Sequence, residues 1–362
     1  MFVRCSPLLV REAMAKKEEL VIGIDIGTHA VKICQLQRVA KGGYRLLAAG
    51  SALLPAEAVE DGAIHEPEAV GKVVASLLKN LKIKGKKVGV SISGYSVIVK
   101  KINLEAMNDE ELSKYITAEA EQYIPFDVND VYLDFQRLPT KKPGSDRDDI
   151  MLVAAKKDVV NEYLDMLSAL KLSPVLVDVD GFALSNIWSA AGGDGVNVAL
   201  IDIGASKMNI NIIAEGVSVL ARDVVVGSEQ LTNQIAVALD IEYDQAEKVK
   251  IGALAAPEYD DKIRGIFTKV CSQWVAEIKK AVDLYRSNNP KRVLQSIVLS
   301  GGGSKVAGLP DFIAQETQLS VTIFDPFIHM QVDEKKFDRQ FLSAIGPEMA
   351  IATGLAIRPA IL

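Results

Sequence analysis

The sequence predicts an α/β protein of two lobes, each built on the same strand–turn–strand unit. Three observations lead there. First, "LVIGIDIGTHAVKICQL" and "NVALIDIGASKMNINII" share one form: apolar strand, Asp, one residue, Gly, second apolar strand. They place Asp25 and Gly27 near the start of the chain, and Asp202 and Gly204 past its middle. Second, the order strand–strand–strand–helix–strand–helix recurs in both halves, which reads as an internal duplication. Third, 362 residues are more than one compact core usually organises.

The elements follow from period and punctuation. "GGYRLLAAGSALL" is a third strand after the first hairpin. "PEAVGKVVASLLKNL" has helical spacing of its apolar residues. "KKVGVSISG" and "SVIVKKINL" are strands. "NDEELSKYITAEAEQYI" opens on Asn108 as an N-cap with acids in its first turn, and it ends before Pro125. "VYLDFQRL" alternates as a strand does, and "KKPGSDRDD" has loop composition. Strand "IMLVAAK", helix 158–170, strand "SPVLVDVD" and helix 181–190 complete the first half. "AAGGDGVN" is glycine-rich and marks the lobe boundary. Strands 196–202, 206–213 and 217–223 follow, then helical "SEQLTNQIAVAL" and "EYDQAEKVKIG" and a long helical stretch, 258–287. "SIVLSGGGSKVAGLPDFIAQET" reads as strand, glycine turn and helix. A short strand "SVTIF" and a helix near 342–357 end the chain.

The chemistry sits in the turns. A hairpin that breaks at Asp-x-Gly exposes successive backbone N–H groups, a nest for anions, and glycine lets a ligand approach closely. A carboxylate beside phosphate oxygens needs a divalent cation between them. Magnesium binds through few carboxylates together with water and phosphate. Either hairpin alone is also an ordinary β-turn with a turn Asp and Gly. Two at matched positions point to a shared ligand. The third element is the turn Gly301, Gly302, Gly303, where a flat ligand can lie against backbone. Its spacing is not G-x-G-x-x-G, the acid expected further on is missing, and the chain has no Walker A sequence.

Composition excludes other classes. Hydrophobic residues are 49% and charged residues 24%, as in a soluble globular chain. The net charge of −6 argues against non-specific nucleic-acid binding and a polybasic membrane anchor. Cys5, Cys34 and Cys271 are far apart and without metal-ligand spacing, so free thiols in a reducing compartment are expected. No apolar run approaches the roughly 18 residues that span a bilayer, so no direct membrane insertion is expected. The opening "MFVRCSPLLVREAMAKKEEL" lacks the apolar region of a signal peptide, and Met14 is an alternative start.

Together these segments resemble the actin-like ATPase superfamily, which includes actin, Hsp70, sugar kinases and FtsA. "DIGTHAVK" is similar to its first phosphate loop, "DIGASKMNI" to its second and "SGGGSKVAGL" to its adenosine motif. "VDVDGFALSN" resembles the connecting helix, and "QAEKVK" the Glu-x-x-Lys pair that flanks the nucleoside. The resemblance implies an actin-like (ribonuclease H-like) duplicated two-lobe fold with a nucleotide cleft, taking ATP and Mg2+. It implies that Asp25 and Asp202 hold magnesium through water, that Gly27, Thr28, His29 and Lys32 meet phosphate, and that Gly204, Ala205 and Ser206 form the second loop. Gly302, Gly303 and Ser304 would border adenosine, and Glu247 and Lys250 the ribose or base. Lys32 also reads as a solvent-facing strand lysine, and Glu247 and Lys250 as a solvated helix face. Asp180 is the candidate for orienting a water, with Asp178 the alternative. Relatives carry a longer side chain there, so turnover stays open beside binding. His29 reads as a neutral loop side chain, without a partner in His65 or His329.

A narrower resemblance, from about Leu20 onward, is to the PilM family of type IV pilus assembly proteins. It rests on "VIGIDIGTHAVKICQL", "EDGAIHEPEAV", "VGVSISGYSVIVKKINL", "ITAEAEQYIPFDVNDVYLDFQRL", "DIMLVAAKKDVVNEYLDMLSALKLSPVLVDVDGFAL" and "VLSGGGSKVAGLPDFI". It implies a flexible extension 1–19 and a first lobe 20–193 with a small inserted subdomain at about 95–157. A second lobe 194–341 with a helical insertion at about 229–290 follows, and 342–362 packs back on the first lobe. It also implies a cytoplasmic scaffold at the inner membrane, held there by partners. Those are the cytoplasmic N-terminal peptide of PilN and, indirectly, the PilO/PilP complex and the pilus motor ATPase or platform protein; a homo-oligomeric ring is a further expectation. Tyr115, Tyr123 and Phe126 read either as a partner-peptide patch or as subdomain core. The other readings are an actin-fold small-molecule kinase, for which no sugar-binding cluster is seen, and an FtsA-like division scaffold. The tail "GPEMAIATGLAIRPAIL" lacks the cationic face of the membrane helix that the latter carries.

Overall fold

The duplication is visible in the sheets. The computed structural model describes residues 19–39, 42–139 and 146–360. Cys5, the alternative start at Met14 and most of the N-terminal extension lie outside the described residues, as does the first part of the "KKPGSDRDD" loop. One five-stranded sheet has the order Ser173–Val179, Lys87–Ile92, Ile22–Ile26, Ala30–Arg38, Tyr44–Leu53. The other has the order Ser320–Ile323, Ser296–Ser300, Val198–Ile203, Met208–Ala214, Val217–Val224. In both, the first strand in sequence pairs antiparallel with the second and parallel with the fourth. The central strands are buried along their length, which is why they read as continuous apolar runs and not as alternation.

By contacts the chain divides into two units. One runs to Gly192 and takes back His329–Lys336 and 351 onward; the other holds Gly193–Ile328 and Phe337–Ala350. In the first unit, the helix Pro67–Asn80 buries Val70, Val74, Leu77 and Leu78, the i, i+4, i+7, i+8 face that its spacing predicts. Beside it the helix Lys157–Ala169 buries Val159, Val160, Tyr163, Met166 and Leu167.

Between Lys87–Ile92 and Ser173–Val179 the chain leaves the main sheet and makes a three-stranded sheet, ordered Val97–Glu105, Arg147–Lys156, Val131–Arg137. The helix Asp109–Glu119 covers it. Asn108 caps that helix with a full capping box: its side chain accepts from the Glu111 N–H at 2.9 Å, and the Glu111 carboxylate accepts from the Asn108 N–H at 3.2 Å. This region has its own core, including Ile102, Leu112, Ile116, Ile150 and Leu152. Tyr115, Tyr123 and Phe126 are partly buried against that core.

In the second unit the helices Glu229–Leu239, Tyr243–Lys250 and Asp260–Asn288 pack around Trp274, Ile278 and Tyr285. The single helix expected near 342–357 is two helices, Arg339–Ile345 and Ala350–Ala356, joined by a 3-10 turn, Gly346–Met349. Pro347 has no N–H to offer an α-helical ladder, which accounts for the break. The second of these helices lies against the first strand of the first unit and against the helix Asp180–Trp188. A Cβ on Gly23 would stand 2.0 Å from the Ala352 carbonyl oxygen, and one on Gly354 1.9 Å from that of Ala183. Only glycine permits either approach.

Candidate functional site

Each unit carries one half of the predicted site, at the carboxyl ends of its parallel strands, where ligands of open α/β sheets bind. In the first unit, Asp25 is the fourth residue of its strand, and register places it opposite Lys32. The Lys32 ammonium lies 3.2 Å from Asp25 Oδ2, and both side chains are largely buried. Lys32 is therefore not the solvent-facing strand lysine that composition allows. The turn is closed by the Gly27 N–H donating to the Ala30 carbonyl at 3.1 Å. A Cβ on Gly27 would come within 3.1 Å of the Lys32 ammonium, so the ammonium lies over the turn. Thr28 and His29 are half-exposed on it.

The second unit repeats this. Gly204 N–H donates to the Lys207 carbonyl at 2.9 Å, and Asp202 stands opposite Asn209 in register. Asp25 to Lys32 and Asp202 to Asn209 are the same step along the chain, so Asn209 takes the place of Lys32. Asn209 donates to Asp223 Oδ1 at 2.7 Å. Gly204, Ala205 and Ser206 are half-exposed. A hollow of ≈ 830 Å³ opens beside Ala205 and Ser206 and runs along Gln230, Asn233 and Gln234 to Gln273.

Two serines complete the carboxylate settings. Ser300, at the end of the strand parallel to that of Asp202, donates to Asp202 Oδ2 at 2.8 Å. Ser93, just past the end of Lys87–Ile92, donates to Asp180 Oδ2. Asp180 is buried and is the first residue of its helix, not the last of a strand. Its charge and that of Asp25 both act on Tyr163, whose phenol burial pushes far above its ordinary range; the Tyr163 hydroxyl donates to the Gly62 carbonyl at 3.0 Å. Asp178 points elsewhere. It is 1% exposed, accepts from the Val179 N–H at 2.8 Å and lies 4.0 Å from Arg358 Nε. Burial raises its pKa, and Arg358 offsets part of that. This is a contact within the core.

The glycine turn after Ser300 is tightly built. Gly301 has φ +79, and a Cβ there would meet the Ile203 carbonyl oxygen at 2.4 Å. Gly303 and Ser304 are buried, and Ser304 Oγ donates to the Gly301 carbonyl at 2.7 Å. Gly302 is the half-exposed member, with open space beside it: its Cβ would meet nothing nearer than Glu348 Oε2 at 3.9 Å. Glu247 and Lys250 share a helix face, as their spacing predicts. Their settings differ. The Lys250 side chain is 2% exposed and that of Glu247 33%, with Nζ to Oε2 at 2.5 Å. Burial lowers the pKa of Lys250, and Glu247 offsets part of that.

Sequence reading missed Ser93, Ser300 and Asn209. Asn209 was within reach, since it stands at the offset of Lys32 in the repeated phrase. Among the described residues no group of three or more His, Cys, Asp and Glu could hold a metal ion. A cation at Asp25 or Asp202 would take its remaining ligands from phosphate and water, which suits magnesium. Within the first unit, the ammonium over the turn and the half-exposed Thr28 and His29 have the chemistry of a phosphate contact.

Two sheets of one order, each opening on an Asp-x-Gly hairpin, define an actin-like protein. Structural likeness agrees. EutJ, an ethanolamine utilization protein from Carboxydothermus hydrogenoformans, has a TM-score of 0.55 at 14% identity, covering 97% of this chain and 91% of its own. MreB 5 of Spiroplasma citri bound to AMPPNP has a TM-score of 0.52 at 12% identity, covering 94% and 95%. The PilM-PilN type IV pilus biogenesis complex gives a TM-score of 0.83 at 26% identity, covering 95% of this chain and 100% of that one. Residues 23–360 match the family of type IV pilus assembly protein PilM, and the chain belongs to that family. It is an actin-like type IV pilus assembly protein.

Proposed function

We propose that the protein is an ATP-binding scaffold of the pilus assembly machinery, whose phosphate-binding element is the hairpin that each unit repeats. The observation that carries this is the repeated turn: Asp, then a Gly whose N–H closes the hairpin at 3.1 Å in one unit and 2.9 Å in the other. Asp25 and Asp202 order the water shell of a magnesium ion. Lys32 and the backbone N–H groups of Thr28 and His29 in the first unit, and those of Ala205 and Ser206 in the second, are the phosphate-binding groups, while the N–H groups of Gly27 and Gly204 close the turns. Gly302 faces adenosine. Bound magnesium would neutralise the phosphate charge that the two carboxylates otherwise repel. Asp180, fixed by Ser93, holds a water, and its short reach favours slow turnover or none.

The partner in this reading is the cytoplasmic N-terminal peptide of PilN. A relative at 26% identity is described as a PilM-PilN complex, which supports it. Among the described residues no helix is long and apolar enough to cross a membrane. Attachment to the inner membrane is then through partners, with the PilO/PilP complex and the motor beyond PilN. Nucleotide fixes one arrangement of the protein and shifts its population toward that state.

The test is the nucleotide carried by the purified protein, released by denaturation and separated by chromatography, with a titration of the PilN peptide alongside. Retained ATP supports the scaffold. Retained ADP supports turnover at Asp180. Neither nucleotide, with no binding on later titration, defeats the nucleotide reading.

A further inference from the structure

We propose that Thr232 and Lys250 are positioning residues. They hold the Glu247 carboxylate for the hydroxyls of a ribose and tie it to the second phosphate turn, without touching the nucleotide themselves. This rests on the nucleotide reading above and departs from the expectation that Lys250 contacts the ligand.

The donors decide it. An ammonium has three protons. Lys250 Nζ reaches Glu247 Oε1 at 2.8 Å and Oε2 at 2.5 Å, Thr232 Oγ1 at 2.9 Å and the Ser228 carbonyl at 3.5 Å. Its protons are spent inside the protein. Thr232 is 0% exposed. Its hydroxyl accepts from Lys250 and can donate to the Ser228 carbonyl at 3.2 Å or to Glu247 Oε2 at 3.3 Å. Glu247 alone of the three reaches the surface. A carboxylate held from behind presents its outer lone pairs, and it only accepts. It suits a hydroxyl pair and repels a phosphate.

The tie to the turn is the start of the helix Glu229–Leu239. Ser228 N–H donates to the Gly204 carbonyl at 2.9 Å, and Glu229 N–H to that of Ala205 at 3.0 Å. The Ser228 carbonyl in turn faces Lys250 and Thr232. One short segment therefore fixes both the phosphate turn and the group that anchors Glu247.

Calorimetric titration with ATP and with 2′,3′-dideoxy-ATP tests this, with thermal stability measured on each variant. The wild type should prefer ATP by about tenfold or more, as expected for hydrogen bonds to a charged acceptor. Glu247→Ala should lose that preference. Thr232→Val should lose most of it while Thr232→Ser keeps it, and Thr232→Val combined with Glu247→Ala should lose nothing further. Lys250→Met serves as the second variant if Thr232→Val does not fold, with the same selective loss expected. A folded Thr232→Val or Lys250→Met that keeps the preference, or that weakens both nucleotides equally, overturns the proposal. So does a wild type that binds both equally, which leaves nucleotide binding intact. If neither binds, the nucleotide reading falls and this inference with it.

Discussion

Asp25 and Lys32 face each other across the first hairpin, with Nζ 3.2 Å from Oδ2, while Asp202 faces Asn209 at the same step of the second. The duplicated frame thus carries its strand lysine in one half only. In the proposed nucleotide reading, that asymmetry gives the two turns different work: the first supplies a charge and the second supplies backbone.

Lys32→Met should therefore weaken ATP binding by about tenfold to a hundredfold, the loss of one or two charge-assisted hydrogen bonds. AMP, which lacks the outer phosphates, should lose less. Calorimetry with both nucleotides checks this. An equal loss for ATP and AMP would place Lys32 away from the outer phosphates.

The close packing of the Ala350–Ala356 helix on the first unit is the second test. Gly354→Ala puts a methyl against the Ala183 carbonyl, where no side-chain rotation relieves it. We expect a loss of about 3 kcal/mol, read as a fall of roughly 5 °C or more in Tm. An unchanged Tm would mean that the helix shifts freely on its bed.

The thiols give a third. Cys34 and Cys271 are buried, and burial pushes both pKa values up to about 12. At pH 8 both should be almost entirely protonated and unreactive, because the thiolate is the nucleophile. Peptide-resolved alkylation should label them only in denaturant. Rapid labelling of either in the native protein would contradict its place in the core.

Asp178 gives a pH signature. Its folded pKa is raised by burial, with Arg358 offsetting part, and its Oδ2 has no hydrogen-bond partner. A raised acid keeps its proton in the fold at a pH where the unfolded chain has released it. Its contribution to stability is therefore present below the unfolded pKa, about 3.9, and is lost as pH rises through the folded one. The Tm of wild type relative to Asp178→Asn should fall from pH 4 upward and then level. A relative Tm that rises with pH would reverse the assignment.

The frame was legible because Asp-x-Gly between apolar runs can hardly be anything but a strand break, and the phrase occurs twice. The ends of the glycine turn and the helix N-cap at Asn108 were legible for the same local reasons. The side chains that set the site were not. Ser93 acts on Asp180 and Ser300 on Asp202, across 87 and 98 residues of chain. A serine carries no mark in sequence that says which distant carboxylate it serves. The resemblance implied that Lys250 meets ribose or base, with a solvated helix face as the alternative, and only the fold brings Thr232 and Ser228 around its ammonium. The break between the last two helices was written in Pro347, but the apolar spacing on both sides masked it.

The central claim is that MgATP binding depends on both Lys32 and Glu247. A titration of MgATP into wild type, Lys32→Met and Glu247→Ala tests it most directly, since the two substitutions lie in different units. The account predicts one site per chain in the wild type, and about tenfold or greater weakening in each variant. Weakening in one variant with full wild-type affinity in the other would contradict it.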